Sequence, residues 1–184
     1  MENDGRRRVV AARITALRAD RGLSLSELAR RAGIGKGSLS ELEAGQRNPT
    51  LDTLYAIAGQ LGVPLTALLG EQSGTESSSE GIDVSLLHVE HHTDGATTEV
   101  FWLTIAPEGV RTSPAHGSGV RESIHVVTGT IDAGPRGSEQ HACSGDTVTW
   151  VSDSPHTYRG GPNGTQAVLT IHSPKSPDYP PPPS

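Results

Sequence analysis

The sequence predicts an α plus β protein of two domains: a five-helix domain over residues 1–70 and an antiparallel β domain, a sandwich or barrel, over residues 83–173. Three observations predict it. Apolar residues recur at helical spacing up to Leu69, and beyond Asp83 short alternating runs rich in β-branched residues take over. Between them "GEQSGTESSSEG", Gly70 to Gly81, lacks any large apolar residue, which predicts a flexible, solvated linker over residues 71–82. The charge divides at the same place. Up to residue 70 ten Lys/Arg stand against seven Asp/Glu, a balance of +3; beyond it five stand against fourteen, a balance of −9. A mildly basic front suits a polyanion, and an acidic back suits a different partner.

The helices follow in order. Val10, Ile14 and Leu17 mark one face of a first helix ending near Gly22. Ser24 with Glu27 is a capping-box signature, after which Leu25, Leu28, Ala29 and Ala32 recur at i, i+3, i+4 and i+7. Gly33, free to take a positive φ, ends that helix. Leu39 and Leu42 anchor a restart that ends at Gly45, Leu51, Leu54, Tyr55, Ala58 and Leu61 form a fourth stripe, and Pro64 opens a short fifth helix. Downstream, "TTEVFWLTIAP", "VRESIHVVTGTIDA", "GDTVTWVSDSPHTY" and "TQAVLTIHSP" each predict a strand with turn punctuation. No crossover helix is visible, which argues against a parallel sheet. "SPDYPPPPS", within residues 174–184, predicts an extended tail.

Several classes are set aside by composition. No apolar run reaches the length of a membrane span, and no apolar stretch follows the Arg-rich start, so a cytoplasmic protein without membrane contact is expected. Cys143 is the single cysteine, which excludes an intrachain disulfide and two-cysteine zinc motifs. With only turn residues beside it in sequence, Cys143 is expected to be inert.

Two short helices joined by a tight glycine-containing turn are the physical content of a helix-turn-helix. The second must set its N-terminal part in the major groove of double-stranded DNA while the first lies across the backbone. With Leu39 and Leu42 facing the core, Lys36, Gly37, Ser40 and Glu41 are left outside and Ser38 near the edge. Small residues let the helix axis approach base edges, Ser40 can donate or accept, and Glu41 can accept from cytosine N4. Lys36, Arg47 and the Arg6–Arg8 cluster are natural phosphate contacts. The run "SLSELARRAGIGKGSLSELEAGQRNPTLDTLYAIAGQLGVPLTALL" resembles the XRE family of phage-repressor-type helix-turn-helix regulators over roughly Val9 to Leu69. Carried over, Ser24 opens the helix that crosses the backbone, and Gly35 to Glu41 take the reading positions. Where the family often has a Gln after the cap, this chain has Leu25.

In the second half, "HGSGVRESIHVVTG" and "GDTVTWVSDSPHTY" resemble the two motifs of the cupin family of small antiparallel β-barrels. The first motif is present as His116-x-Ser118-x(3)-Glu122-x(6)-Gly129, and Gly145 and His156 match in the second. Val151, Asp153 and Gly160 stand where the family has Pro, Gly and Asn. The resemblance covers roughly Asp83 to Ser173 and implies a barrel with His116, Glu122 and His156 directed inward. Two imidazoles and a carboxylate would suit a divalent transition metal. Ser118 replaces the second histidine of the family motif, so the same residues equally suit a polar pocket for an organic ligand. Strand parity puts Ile124 and Val126 on the face of Glu122 and His125 on the other. It also puts Tyr158 with His156, and Trp150 and Tyr158 are candidate pocket residues.

These readings together predict a sequence-specific DNA-binding transcription regulator. It would act as a homodimer on an operator, with the cupin-like domain sensing a small-molecule effector, dimerising, or both. Two other readings remain open at this point. One is a metal-dependent cupin dioxygenase or isomerase tethered to a DNA-binding domain, with Glu122 or Tyr158 as acid or base. The other is a ligandless barrel serving only as a dimerisation platform.

Overall fold

The computed structural model describes residues 2–69, 76–79 and 81–175. The tail from Ser176 onward, residue 70, residues 71–75 and 80 of the expected linker, and the side chains of Arg6 and Leu51 lie outside the described residues. Five helices are present: α1 (Glu2–Asp20), α2 (Leu25–Arg31), α3 (Lys36–Glu43), α4 (Leu51–Leu61) and α5 (Thr66–Leu69). They are all the helices among the described residues, and the helix-turn-helix proper is α2 and α3.

Each helix boundary has a local cause. The Ser24 hydroxyl accepts from Glu27 N at 3.1 Å, supplying one of the partners that the first turn of α2 lacks. The return arm of the capping box is replaced: Glu27 pairs with Arg30 and Arg31, each at 2.7 Å. Gly33 takes φ +67°, so Ile34 N can reach back to Ala29 O at 3.0 Å and close α2. The fifth helix starts at Thr66 rather than at Pro64. Ile14, Leu28, Leu39, Leu42, Leu54, Ile57, Leu61 and Leu68 are buried together and form the helical core. Arg18 locks α1 to the end of α3 through a two-pronged contact with Glu43, Nε to Oε1 at 2.6 Å and Nη2 to Oε2 at 2.7 Å.

The second half is an eight-stranded antiparallel sheet: β1 (Glu76–Ser79), β2 (Ile82–His91), β3 (Thr97–Ile105), β4 (Val110–Ser113), β5 (Arg121–Pro135), β6 (Gln140–Cys143), β7 (Thr147–Val151) and β8 (His156–Ser173). The strand order is β1-β2-β3-β8-β5-β6, with β4 also paired to β8 and β7 to β5. The expected barrel is therefore not closed, since β1 and β6 end the path among the described residues. Part of the expected linker is strand, because Glu76–Ser79 pairs with Ile82–Ser85. The glycine-rich run after Tyr158 does not end a strand either; His156 to Ser173 is one long element. Bending lets β5 and β8 each serve several neighbours. Register shifts fall between Val126 and Thr128 and between Gly129 and Ile131. Gly129 has φ +83°, and a Cβ there would collide with Gly164 O, so only glycine permits the bend.

The two halves touch through α4. A Cβ on Gly59 would sit 3.3 Å from Ala115 O, so α4 lies close against the β4–β5 connection. Thr66 N, at the start of α5, donates to buried Glu99 Oε1 of β3 at 2.7 Å.

Candidate metal centre and nucleic-acid interface

Two strands and a connection bring His116, Glu122 and His156 together. Glu122 lies near the start of β5, opposite Trp150 of β7, and points inward as parity predicts; Ile124 and Val126 share its buried face and His125 is exposed. His156 opens β8. His116 sits on the β4–β5 connection, held there by its backbone N–H donating to Ser152 O at 2.7 Å. Glu122 and His156 are 0% exposed and the His116 side chain 8%. Glu122 Oε1 lies 3.1 Å from the Nε2 atom of each histidine. Among the described residues these three form the one group of potential metal ligands of this size, with ligand atoms all within 4.8 Å of one another.

The polar atoms at the centre of the trio are short of partners. Oε1 and both Nε2 atoms are buried without a hydrogen-bond partner. His156 Nδ1 donates to Ser154 O at 3.0 Å, so in its neutral form this imidazole turns a lone pair toward the Glu122 carboxylate. Burial pushes the His116 pKa down to about 4 against the upward pull of Glu122, leaving that ring neutral near pH 7. Burial pushes the Glu122 carboxyl up, but the contact with His156 and the adjacent His116 pull it down, and the balance lies below the ordinary carboxylate value. A lone pair on each Nε2 facing an ionised carboxylate would be repelled unless a proton or a metal ion sat among them. The Tyr158 hydroxyl, kept protonated by burial and by the charge of Glu122, donates to Glu122 Oε2 and leaves Oε1 for the centre.

Aromatic rings surround the imidazoles. Trp150 and Tyr158 lie 5.9 and 5.5 Å from His156, centroid to centroid. The rings of His116 and His156 are 5.0 Å apart. Tyr55 of α4 stands edge-on to His116 at 4.6 Å. Arg111 of β4, only 3% exposed, lies over the Tyr55 ring at 5.4 Å and reaches Asp52 of α4 at 2.7 Å. Tyr55 and Arg111 were missed by the sequence reading. Tyr55 belongs to an ordinary core stripe, and nothing local marks which of its neighbours come from the other half of the chain.

Ser118 is not part of the trio. The chain turns at Gly117, where Val120 N donates to Gly117 O at 3.2 Å, and Ser118 is left exposed. It lines a separate cleft of about 210 Å³ with Gly59, Gly62, Pro64 and Lys175. Cys143 also departs from expectation. Pairing of β5 with β6 sets His141 opposite Asp132, and His141 Nε2 comes within 3.7 Å of the Cys143 sulfur.

On the helical half, Lys36, Gly37, Ser40 and Glu41 are exposed on α3 opposite buried Leu39 and Leu42, and Ser38 is half-buried. Gly35 is the N-cap of α3. Arg47 is exposed, 3.4 Å from Ser38 Oγ and 4.0 Å from Glu41. With Gly35, Thr50 and Thr53 it lines a cleft of about 180 Å³ beside the start of α3. Ser24 is exposed at the start of α2.

A short helix exposed beside basic side chains is thus joined to a β domain that holds a buried His–Glu–His set. A family profile described as Helix-turn-helix matches residues 14–68. The chain is 31% identical over 175 residues to the HTH-type transcriptional regulator SutR of Escherichia coli K12, covering 92% of this chain and 97% of that protein. It superposes on the crystal structure of an HTH_3 family transcriptional regulator from Vibrio cholerae with a TM-score of 0.82, at 25% identity, covering 94% of this chain and 99% of that one. A cupin domain of an XRE family transcriptional regulator from Enterobacter cloacae aligns at 23% identity and a TM-score of 0.47, covering 52% of this chain and 99% of that one. The chain belongs to the HTH-type transcriptional regulators.

Proposed function

We propose that this regulator reads its operator with α3 and responds to a divalent transition metal ion held by His116, Glu122 and His156. The observation that carries the sensor reading is the set of three buried, unpartnered ligand atoms around Glu122 Oε1. Two imidazoles and a carboxylate suit zinc, iron, manganese or nickel. Rings packed this closely around the imidazoles favour an ion over an organic effector. The bound metal would supply positive charge where the carboxylate and two lone pairs converge. Tyr158 and Ser154 would orient two of the ligands. The relatives are named as regulators, which supports a sensing rather than a catalytic role.

Gly37 supports the DNA reading. A Cβ there would meet nothing within 4 Å, and its φ is not positive, so the fold does not require glycine. A glycine inside a helix costs about 1 kcal/mol relative to alanine. Its smallness therefore serves something outside the chain, as close approach to a groove demands. Ser40 and Glu41 would read base edges, and Ser24, Gly35, Lys36, Ser38 and Arg47 would hold the phosphate backbone. A homodimer in the cytoplasm would present two α3 helices about 34 Å apart, one turn of DNA.

The test combines selection of bound duplexes from a random pool with metal analysis of the purified protein. Ser40→Ala and Glu41→Ala are expected to relax preference at individual base pairs. Arg47→Ala should weaken binding to every sequence and lower the salt slope by about one. Gly37→Ala should raise helix stability by up to about 1 kcal/mol while weakening operator binding. Unchanged preference in both the Ser40 and Glu41 variants would remove α3 from the reading role. Purified protein that takes up no zinc, manganese, iron or nickel would remove the metal.

A further inference from the structure

An effector in the β domain acts on DNA only if something carries its presence to the helices. The two halves meet directly through a junction on α4. α4 presents Asp52, Tyr55 and Gly59 on one side, at positions i, i+3 and i+7. Each meets a different part of the metal-site surround. Gly59 lies against the backbone of Ala115 and His116. The Tyr55 ring stands edge-on to the His116 ring at 4.6 Å. Asp52 holds Arg111, whose guanidinium also lies over Tyr55. Arg111 sits in β4, which pairs with β8 so that Ser113 lies opposite His156 and Arg111 opposite Tyr158. Two routes therefore run from the trio to one helix: His116 directly, and His156 and Tyr158 through β4.

We infer that α4 is the reader of the β-domain site: the Asp52–Arg111–Tyr55–His116 junction transmits metal occupancy to the DNA-binding helices. This rests on the metal reading above. His116 is the ligand on a loop rather than on a strand, so it is the one whose position ligation changes most readily. Its Nε2 lies against Glu122 and its ring packs edge-on with Tyr55, so a change in ring orientation pushes or releases α4. Ile57, Ala58 and Leu61 of α4 share the buried core with Leu28 of α2 and with Leu39 and Leu42 of α3. Close-packed cores respond to such a push by shifting between discrete arrangements rather than by deforming smoothly. Displacing α4 shifts the seat of the reading pair, and also moves the segment carrying Arg47. The Asp52–Arg111 pair keeps the junction engaged, since a buried guanidinium without its carboxylate is costly.

The experiment uses the full chain, a fluorescent duplex carrying the selected operator, and Zn²⁺ alone as probe. In the wild type, Zn²⁺ is expected to change the operator dissociation constant by roughly 5- to 150-fold, and the operator to change Zn²⁺ affinity by the same factor, as linkage requires. Asp52→Asn should bind Zn²⁺, and bind operator without Zn²⁺, within about threefold of wild type, and Tyr55→Leu should still bind each separately, while in both variants the response in both directions falls below about twofold. Tyr55→Phe, which keeps the ring, should keep the response. His156→Ala should lose Zn²⁺ binding with the junction intact. If Tyr55→Leu does not melt cooperatively, Asp52→Asn carries the test, because Asp52 is 32% exposed and its replacement keeps an oxygen acceptor. A full response in Asp52→Asn, or in a folded Tyr55→Leu, overturns the junction. Zn²⁺ binding to wild type without any operator response overturns the junction and leaves the site standing. Absence of Zn²⁺ binding to wild type overturns both.

Discussion

At the scale of single residues, the β-domain site depends on side chains that fix Glu122 as much as on its ligand atoms. Tyr158 donates to one carboxylate oxygen and so selects which oxygen faces the two imidazoles. Groups that orient ligands in this way typically matter by 10- to 100-fold in metal affinity. Tyr158→Phe is therefore expected to weaken Zn²⁺ binding by about that factor in a competition titration, with little change in operator binding without metal. An unchanged titration would mean that packing alone orients Glu122. His116, Glu122 and His156 were legible as candidates because two sequence motifs resemble those of a known family, and strand parity then set Ile124 and Val126 on the face of Glu122. Ser118 was misplaced because the turn at Gly117 swings the following residues outward. Cys143 gained His141 as a neighbour because the hairpin sets both on one face of β6.

At the scale of elements, two contacts hold the helices where the reading pair needs them. Arg18 and Glu43 tie α1 to α3 with both side chains largely covered, 17% and 9% exposed. Glu43→Ala leaves a part-buried guanidinium short of a partner and should cost about 1–3 kcal/mol in denaturant unfolding. Glu99 of β3 takes the N–H of Thr66 at the start of α5 and is fully buried. Burial pushes its carboxyl above the ordinary value, although the hydrogen bonds from Thr66 and Leu65 oppose this. A raised folded pKa means that the folded state takes up its proton first as pH falls. The stability of wild type relative to Glu99→Gln should then be lowest above the folded pKa. It should rise as pH falls toward the unfolded value near 4.5 and stay level below it. Melting of both proteins between pH 8 and pH 4 checks the sign. A difference that is flat, or that shrinks with acid, would contradict the buried charge.

At the scale of the whole molecule, the halves are predicted to unfold together. Gly59, Tyr55, Asp52 and Thr66 on the helical side all meet the β domain directly, so losing either half strips partners from the other. Calorimetry of the full chain should give one cooperative transition. Two well-resolved transitions in wild type would mean that the junction is too weak to couple the halves. The sequence reading treated the halves as independent modules on a flexible tether, because hydrophobic period and composition report on each segment separately. The open sheet has the same origin: turn signals mark where strands can stop, but they do not show that Gly160 to Gly164 runs on within β8 or that Glu76–Ser79 pairs.

What the sequence determined by itself was the local content. It set the order of the helices and their caps, the exposed face of α3, the alternation along the strands, and the identity of His116, Glu122 and His156. The helices, the α3 face and the alternation follow from residues within a few positions of one another, where backbone preference and side-chain period dominate, whereas the His–Glu–His candidates came from the resemblance of two motifs to a known family. Only the tertiary structure decided that Oε1 of Glu122 meets both imidazoles, that Ser118 faces away, and that Tyr55 and Arg111 bridge from α4 to the site. Those contacts join residues far apart in the chain, and burial energy selects such pairs by shape and area rather than by any signal carried in the neighbouring sequence.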